Sequence, residues 1–327
     1  MRAQLIFEHG GPEQLELRDF PKPSAVPGQL LIRIHASSVN PIDIKIREGL
    51  SVGPELPAVL GADLAGVVEA VGEGVEEFRA GDEVYGCAGG VKGLGGTLAE
   101  YIAADARLIA RKPECLSFRE AAALPLVSIT AWQAIERLVV RPGERILVHG
   151  GTGGVGHIGV QLARNAGAHV VATVGSEEAP VVVRKLGAAD VVDYRQEDVA
   201  SYVERLTGGE GFSAIFDTVG GANLVRSFEA AAIGGRIATT NARTVANLET
   251  MHGKALSLHV VFMLLPLLRG AGREGHGAIL RRVAQAVDAG KLRPLLDPVP
   301  FKLESAGAAQ AHLASGAACG KVVVDIP

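Results

Sequence analysis

The sequence predicts an α/β protein of two domains, one of them a doubly wound parallel sheet. Three observations carry this. The chain has 327 residues, and at about 150 residues per domain that length divides into two. From about Ala123 onward, short apolar runs alternate with helical patterns, the rhythm of a parallel sheet covered on both faces. Before that point the apolar runs alternate with Gly/Pro turns instead, which predicts a compact, mostly antiparallel unit.

Composition agrees and excludes several classes. Hydrophobic residues are 48% and charged residues 21% of the chain, the balance of a folded globular protein rather than a disordered one. A net charge of -4 and a pI near 6.2 leave no basic footprint, so no nucleic-acid partner is expected. No apolar run approaches the ~18 residues of a membrane span; the richest, from Val260 to Leu268, is broken by Pro266. Met1-Arg2 leads directly into the strand-like Gln4–Phe7, without a signal-peptide core. Three cysteines without CxxC spacing predict a reducing, cytoplasmic setting. An interior rich in Ala, Val and Gly suits parallel strands buried on both faces.

Taken in order, the first domain shows strand candidates at Leu30–Ile34, Leu64–Val71, Glu83–Tyr85 and Ala99–Ala103. No run reaches helical length until Ser117, where Ser-Phe-Arg-Glu120 forms a capping-box pattern. The second domain offers strands at Arg145–His149, His169–Val174, Asp190–Asp193, Ala214–Val219, Gly235–Thr240 and Ser257–Leu264, and six strands complete a doubly wound sheet. A helical pattern then spans Ala278–Ala289. Strand-like Val299–Leu303 and Lys321–Ile326 flank a helix from Glu304 to Ala314, and the tail is expected to rejoin the first domain, since ~60 residues rarely bury a core alone.

The sharpest motif follows the first parallel strand. Gly151, Gly153 and Gly156 in Gly-Gly-Thr-Gly-Gly-Val-Gly satisfy G-x-G-x-x-G between a strand and a helix, within a βαβ unit of about 30 residues. Gly151 is expected to permit the tight turn, Gly153 close approach of backbone to a pyrophosphate, and Gly156 close helix–strand packing. With Gly154 and Val155 they present free N–H groups and the positive end of a helix to phosphates. An acid at the tip of the second strand would bind the ribose hydroxyls of NAD. Here the tip reads Val174-Gly175-Ser176, so a 2′-phosphate meets no carboxylate there. Ser176, Tyr194 and Arg195 are expected to complete an NADP pocket, although Glu177 and Glu178 follow closely.

The chain resembles the medium-chain dehydrogenase/reductase superfamily, in its zinc-independent quinone oxidoreductase and enone reductase branch. The resemblance is carried by Val39-Asn-Pro-Ile-Asp-Ile-Lys-Ile-Arg-Glu-Gly49, Gly61-Ala-Asp-Leu-Ala-Gly-Val-Val68, Gly81-Asp-Glu-Val-Tyr-Gly86, Leu124–Trp132, the glycine turn, Leu186–Asp190, Phe216–Gly220 and Gly320-Lys-Val-Val323. It implies a GroES-like, partly open β-barrel catalytic domain from residues 1–122 and 265–327, and a Rossmann domain from 123–264, with the active site in the cleft between them. It also implies an NADPH-dependent transfer of hydride to a quinone or to the activated C=C of an enone.

Zinc alcohol dehydrogenases of the superfamily carry a cysteine where this chain has Asn40 and Gly-His-Glu where it has Gly61-Ala62-Asp63. An amide and a methyl group do not replace a thiolate and an imidazole, so no metal is expected. Without a Lewis acid, the substrate oxygen needs hydrogen-bond donors. Asn40 and Lys45 are the catalytic candidates, with Lys45 also near the cofactor, and Asp43 is expected to cap a turn or orient Lys45. A helical stretch is expected to begin at Thr130, and the resemblance adds Thr130, Asn241, Phe262 and Lys321 to the cofactor residues; the arginine of relatives four positions before Lys321 is Ala317 here. Cys87, beside glycines, is read as partly exposed but inert. A long apolar edge strand at 257–264 would be covered by its two-fold mate, predicting a homodimer. The alternatives are a zinc-type alcohol or sugar dehydrogenase and a nucleotide-binding relative without turnover.

Overall fold

A computed structural model describes residues 1–327. The strands are β1 (Arg2–Ile6), β2 (Glu16–Asp19), β3 (Gln29–Ser38), β4 (Ala58–Val59), β5 (Asp63–Val71), β6 (Glu83–Cys87), β7 (Tyr101–Asp105), β8 (Ile109–Arg111), β9 (Arg145–His149), β10 (His169–Val174), β11 (Asp190–Asp193), β12 (Phe212–Asp217), β13 (Ala231–Thr239), β14 (Ser257–Val260), β15 (Phe301–Lys302) and β16 (Val323–Asp325). The helices are α1 (Pro41–Arg47), α2 (Phe118–Ala122), α3 (Pro125–Leu138), α4 (Gly156–Asn165), α5 (Ala179–Leu186), α6 (Val199–Thr207), α7 (Asn223–Ala230), α8 (Glu249–Gly253), α9 (Leu265–Arg269), α10 (Arg273–Asp288) and α11 (Ala306–Ala314). No helix is long and apolar enough to cross a membrane.

Met1–Ile129 and Leu264–Pro327 form one compact unit, and Thr130–Met263 the other. In the first, β3 is the hub. It pairs antiparallel with β5, β7 and β16, so the C-terminal strand is built into the N-terminal sheet. Two register shifts in the β3–β5 ladder bend these strands, as bulges do at barrel corners. At one of them Gly66 lies so close to the Arg33 carbonyl that no side chain fits. Tyr85 is fully buried and its hydroxyl donates to the Leu280 carbonyl at 2.6 Å, tying β6 to α10. Ser117 and Glu120 make the expected reciprocal cap at the head of α2.

The second unit is a six-stranded parallel sheet in the order β11-β10-β9-β12-β13-β14, the doubly wound arrangement. Leu147, Val171 and Ile215 from its central strands pack with Phe212, Phe228 and Leu224 in one continuous core. Small and β-branched residues suffice because these strands are covered on both faces.

Three expectations are corrected. A helix precedes Ser117: α1, which the sequence pattern hides because it has only seven residues and four of them, including Asp43 and Arg47, are buried. The edge strand ends at Val260 rather than Leu264, because the chain turns into α9. Thr130 does not begin a helix but lies inside α3, which starts at Pro125.

Candidate functional site

In the second unit, β9 runs into the glycine loop. The left-handed residue of this turn is Gly150, with φ of 66°, not Gly151. Gly151 is required for a different reason: a Cβ there would lie 2.8 Å from the Ala172 Cβ and 3.0 Å from Val183 Cγ1. A Cβ at Gly156 would collide with the Gly150 carbonyl. One at Gly153 would stand 3.2 Å from the same oxygen. Gly151 N–H donates to the Thr173 carbonyl at 2.9 Å and Gly153 N–H to the Gly150 carbonyl at 2.9 Å. The N–H groups of Gly154, Val155 and Gly156 have no acceptor within the chain, and they lead into α4. The backbone is therefore a cradle with no room for side chains and with donors unspent, which fits a dinucleotide pyrophosphate.

Beside the loop, a cavity of about 1010 Å³ opens at the ends of β9, β10 and β12, lined among others by His149, Tyr194, Arg195, Val219 and Arg226. This is the point where the strand order reverses, the usual ligand crevice of such sheets. Ser176 is exposed just past the tip of β10, and Tyr194 and Arg195 are exposed beyond β11. Arg195 straddles the Asp193 carboxylate, with Nε and Nη2 each at 3.3 Å. His149 is buried, and burial depresses its imidazole to about 4, so it is neutral at neutral pH. Asn241 packs its backbone against Gly220 and Gly221, and its carbonyl accepts from Gly221 N–H at 3.0 Å. Phe262 is half-buried beyond β14 and Thr130 is buried in α3.

In the first unit, four polar side chains meet in the core. Asp63 is fully buried, an acid inside the apolar run that becomes β5. Its carboxylate accepts from Ser38 Oγ, Asn40 Nδ2 and Leu126 N–H, each at 2.8 Å. The last of these satisfies a free donor at the start of α3. Lys321 Nζ completes the cluster, 2.6 Å from Asn40 Oδ1, 3.1 Å from the Val39 carbonyl and 3.4 Å from Asp63 Oδ2. Gly320, at φ of 86° against the Leu295 carbonyl, makes the turn that delivers Lys321 there.

Two site expectations change as a result. Asn40 is fully buried with its amide engaged at both ends, so it anchors the cluster instead of presenting a donor to a substrate. Lys321 is 2% exposed and is the counter-charge of Asp63, not a contact for a cofactor. Asp43 does cap: its Oδ2 accepts Asn40 N–H at 2.8 Å at the head of α1. Burial, with Asp63 nearby, pushes its carboxyl up to about 7. Lys45 projects exposed from the same helix, and its ammonium makes no hydrogen bond or ion pair. Cys87 is fully buried, not partly exposed, and burial together with Asp63 raises its thiol well above the ordinary range, so it stays protonated and unreactive.

The comparisons with known proteins fit this geometry. Residues 26–114 match the alcohol dehydrogenase GroES-like domain and residues 186–324 the zinc-binding dehydrogenase model. The human quinone oxidoreductase is 32% identical over 99% of this chain and 97% of its own. The chain belongs to the medium-chain dehydrogenase/reductase superfamily, in its quinone oxidoreductase branch. The NADPH-dependent alkenal/one oxidoreductase of Arabidopsis thaliana is 32% identical over 99% of this chain and 79% of its own. The quinone oxidoreductase of Escherichia coli complexed with NADPH superimposes with a TM-score of 0.88, at 28% identity, over 99% of this chain and 100% of that one. The protein is an NAD(P)H-dependent oxidoreductase.

The second family model is described as zinc-binding, but the residues here do not fit zinc. An amide and a methyl group occupy two positions of the metal-binding pattern, Cys87 is held as a thiol, and the Asp63 carboxylate is already neutralised by Lys321. No group of three His, Cys, Asp or Glu side chains is arranged to hold a metal ion.

Asp63 and Arg226 escaped the reading of the sequence as site residues. For Asp63 a signal existed, since a carboxylate inside an apolar run is buried and must find a partner. Nothing local marks Arg226, which reaches the cavity only through the packing of α7.

Proposed function

We propose that the protein is an NADPH-dependent, zinc-independent reductase that acts on quinones or on the activated C=C of α,β-unsaturated carbonyls. The observation that carries this reading is the buried Lys321–Asp63–Asn40 cluster, where a side-chain ammonium and an amide already engage the one acid of the Gly61-Ala62-Asp63 segment. The glycine cradle supports dinucleotide binding, and Ser176, Tyr194 and Arg195 support NADPH.

When bound, the nicotinamide supplies the hydride. The protein's part is to hold phosphates on the N–H groups of Gly154, Val155 and Gly156 and to stabilise charge on the substrate oxygen. Lys45 is the group suited to the second task, since its ammonium is exposed and unpaired. Asp43 and Asn40 serve it indirectly by fixing the first turn of α1. The outer edge of β14, which pairs with no further strand and carries Val260 at 46% exposure, supports pairing of two copies into a homodimer. The three cysteines, none of them in a disulfide, support a reducing, cytoplasmic setting.

The test is a panel assay of purified protein. Oxidation of NADPH by benzoquinones or alkenals, unchanged by chelators and with less than stoichiometric metal by mass spectrometry, is the expected result. Turnover of alcohols that is lost on chelation, with no activity on quinones or enones, would refute the proposal.

A further inference from the structure

The loops that close β10 and β11 read Val174-Gly-Ser-Glu-Glu178 and Asp193-Tyr-Arg-Gln-Glu197, and Arg195 is their single basic residue. The loops touch. Tyr194 N–H donates to the Val174 carbonyl at 3.2 Å, and ring atoms of Tyr194 lie 2.7 Å from where a Cβ on Gly175 would stand. Arg195 is thus placed beside the strand tip at which the adenosine ribose of a dinucleotide is read.

Its charge is not free. Asp193 is level with Val174 across the parallel ladder, so the acid missing from the tip of β10 is present one strand over. Its carboxylate accepts from Arg195 N–H at 3.0 Å, from Nε and Nη2 at 3.3 Å, and from Gln196 Nε2 at 3.0 Å. Hydrogen bonds from Arg195 hold the Asp193 carboxyl below its ordinary range, and Glu177 acts on Arg195 through space. A 2′-phosphate must therefore compete with a carboxylate for the guanidinium, whereas a free 2′-hydroxyl asks nothing of Arg195.

Resting on the dinucleotide reading above, we propose that Asp193 is a specificity-determining residue that limits the preference for NADPH over NADH by occupying Arg195. A second, purely architectural role would have the opposite signature, because loosening the loop weakens both dinucleotides together.

The experiment is calorimetric titration with NADPH, NADH, 2′-AMP and 5′-AMP of the wild type and of Asp193→Asn, Asp193→Ser and Arg195→Gln. Asparagine and serine keep an acceptor for Arg195 N–H and remove the charge, and thermal midpoints verify that each variant is folded. Asp193→Asn and Asp193→Ser should tighten NADPH and 2′-AMP by about three- to fivefold, the scale of one partly exposed ion pair, and move NADH and 5′-AMP by less than about twofold. Arg195→Gln should weaken NADPH by about tenfold or more and leave NADH nearly unchanged. Parallel weakening of both dinucleotides in the Asp193 variants, no change in either, or an unaltered NADPH/NADH ratio in Arg195→Gln would overturn the proposal while leaving the protein a dinucleotide enzyme. Failure of the wild type to bind either dinucleotide would instead overturn the reading on which it rests.

Discussion

Lys321 and Asp63 show how much one buried pair can decide. Each is at most 2% exposed, and a charge stranded in such a place is expensive. Lys321→Met should cost about 3–5 kcal/mol, because it leaves Asp63 without its cation, while adding Asp63→Asn should recover much of that loss. Urea unfolding of the two single variants and the double variant measures both; additive losses would show that the pair is not a unit. Asp43 carries a pH signature. With its carboxyl raised to about 7, the native state keeps a proton that the unfolded chain has already released. Below about pH 4 both states are protonated and the group is silent. As pH rises from there to about 7, Asp43 subtracts from stability, and above that the loss is constant. Asp43→Asn should flatten this decline in a series of unfolding midpoints. Lys45 is the contrasting case. Being exposed and unpaired, its replacement by Met should change stability by less than about 0.5 kcal/mol. It should lower kcat by about 100-fold if the ammonium stabilises the developing oxyanion; an unchanged kcat would remove it from the mechanism.

At the level of elements, the loop between β9 and α4 is governed by what a single methyl group would touch. Gly156→Ala forces a carbon into the Gly150 carbonyl. It should destabilise the protein by about 1–3 kcal/mol, the usual range for overpacking, and weaken every dinucleotide alike. Denaturation and titration together distinguish it from the Asp193 variants, which should discriminate between dinucleotides. α1 makes a different point. Seven residues would not be helical in isolation. Its first turn is fixed by Asp43 on the Asn40 N–H, and Asn40 is itself held by Asp63 and Lys321, residues 23 and 281 positions away.

For the whole molecule, the two units divide the work. The glycine loop and the cavity beside it belong entirely to Thr130–Met263, while the buried cluster and Lys45 belong to the other unit. Bound dinucleotide at 100 times its Kd adds about 2.7 kcal/mol to the state that binds it. Hydrogen exchange should therefore slow first in the loop after β9 and in β10 to β12. Equal protection at β3 and β5 alone, with none in the second unit, would place the ligand elsewhere. Light scattering tests the assembly through β14: a monodisperse monomer at micromolar concentration would reject the dimer.

Hydrophobic rhythm and turn chemistry are local properties, and so the parallel strands β9, β10 and β11, the capping box at Ser117 and the glycine loop were legible from the sequence alone. So was the enzyme family, because its motifs keep their order along the chain. Contacts between distant residues were not legible. That Asn40 is sealed in the core and that Lys321 serves Asp63 were decided only when β16 closed on β3; that Gly150 and not Gly151 takes the left-handed turn was decided by the packing of β9, β10 and α5 around the loop. The physical reason is that a buried charge accepts whichever partner the fold delivers to it. Partner and charge are far apart in the chain here, and no periodicity records their meeting.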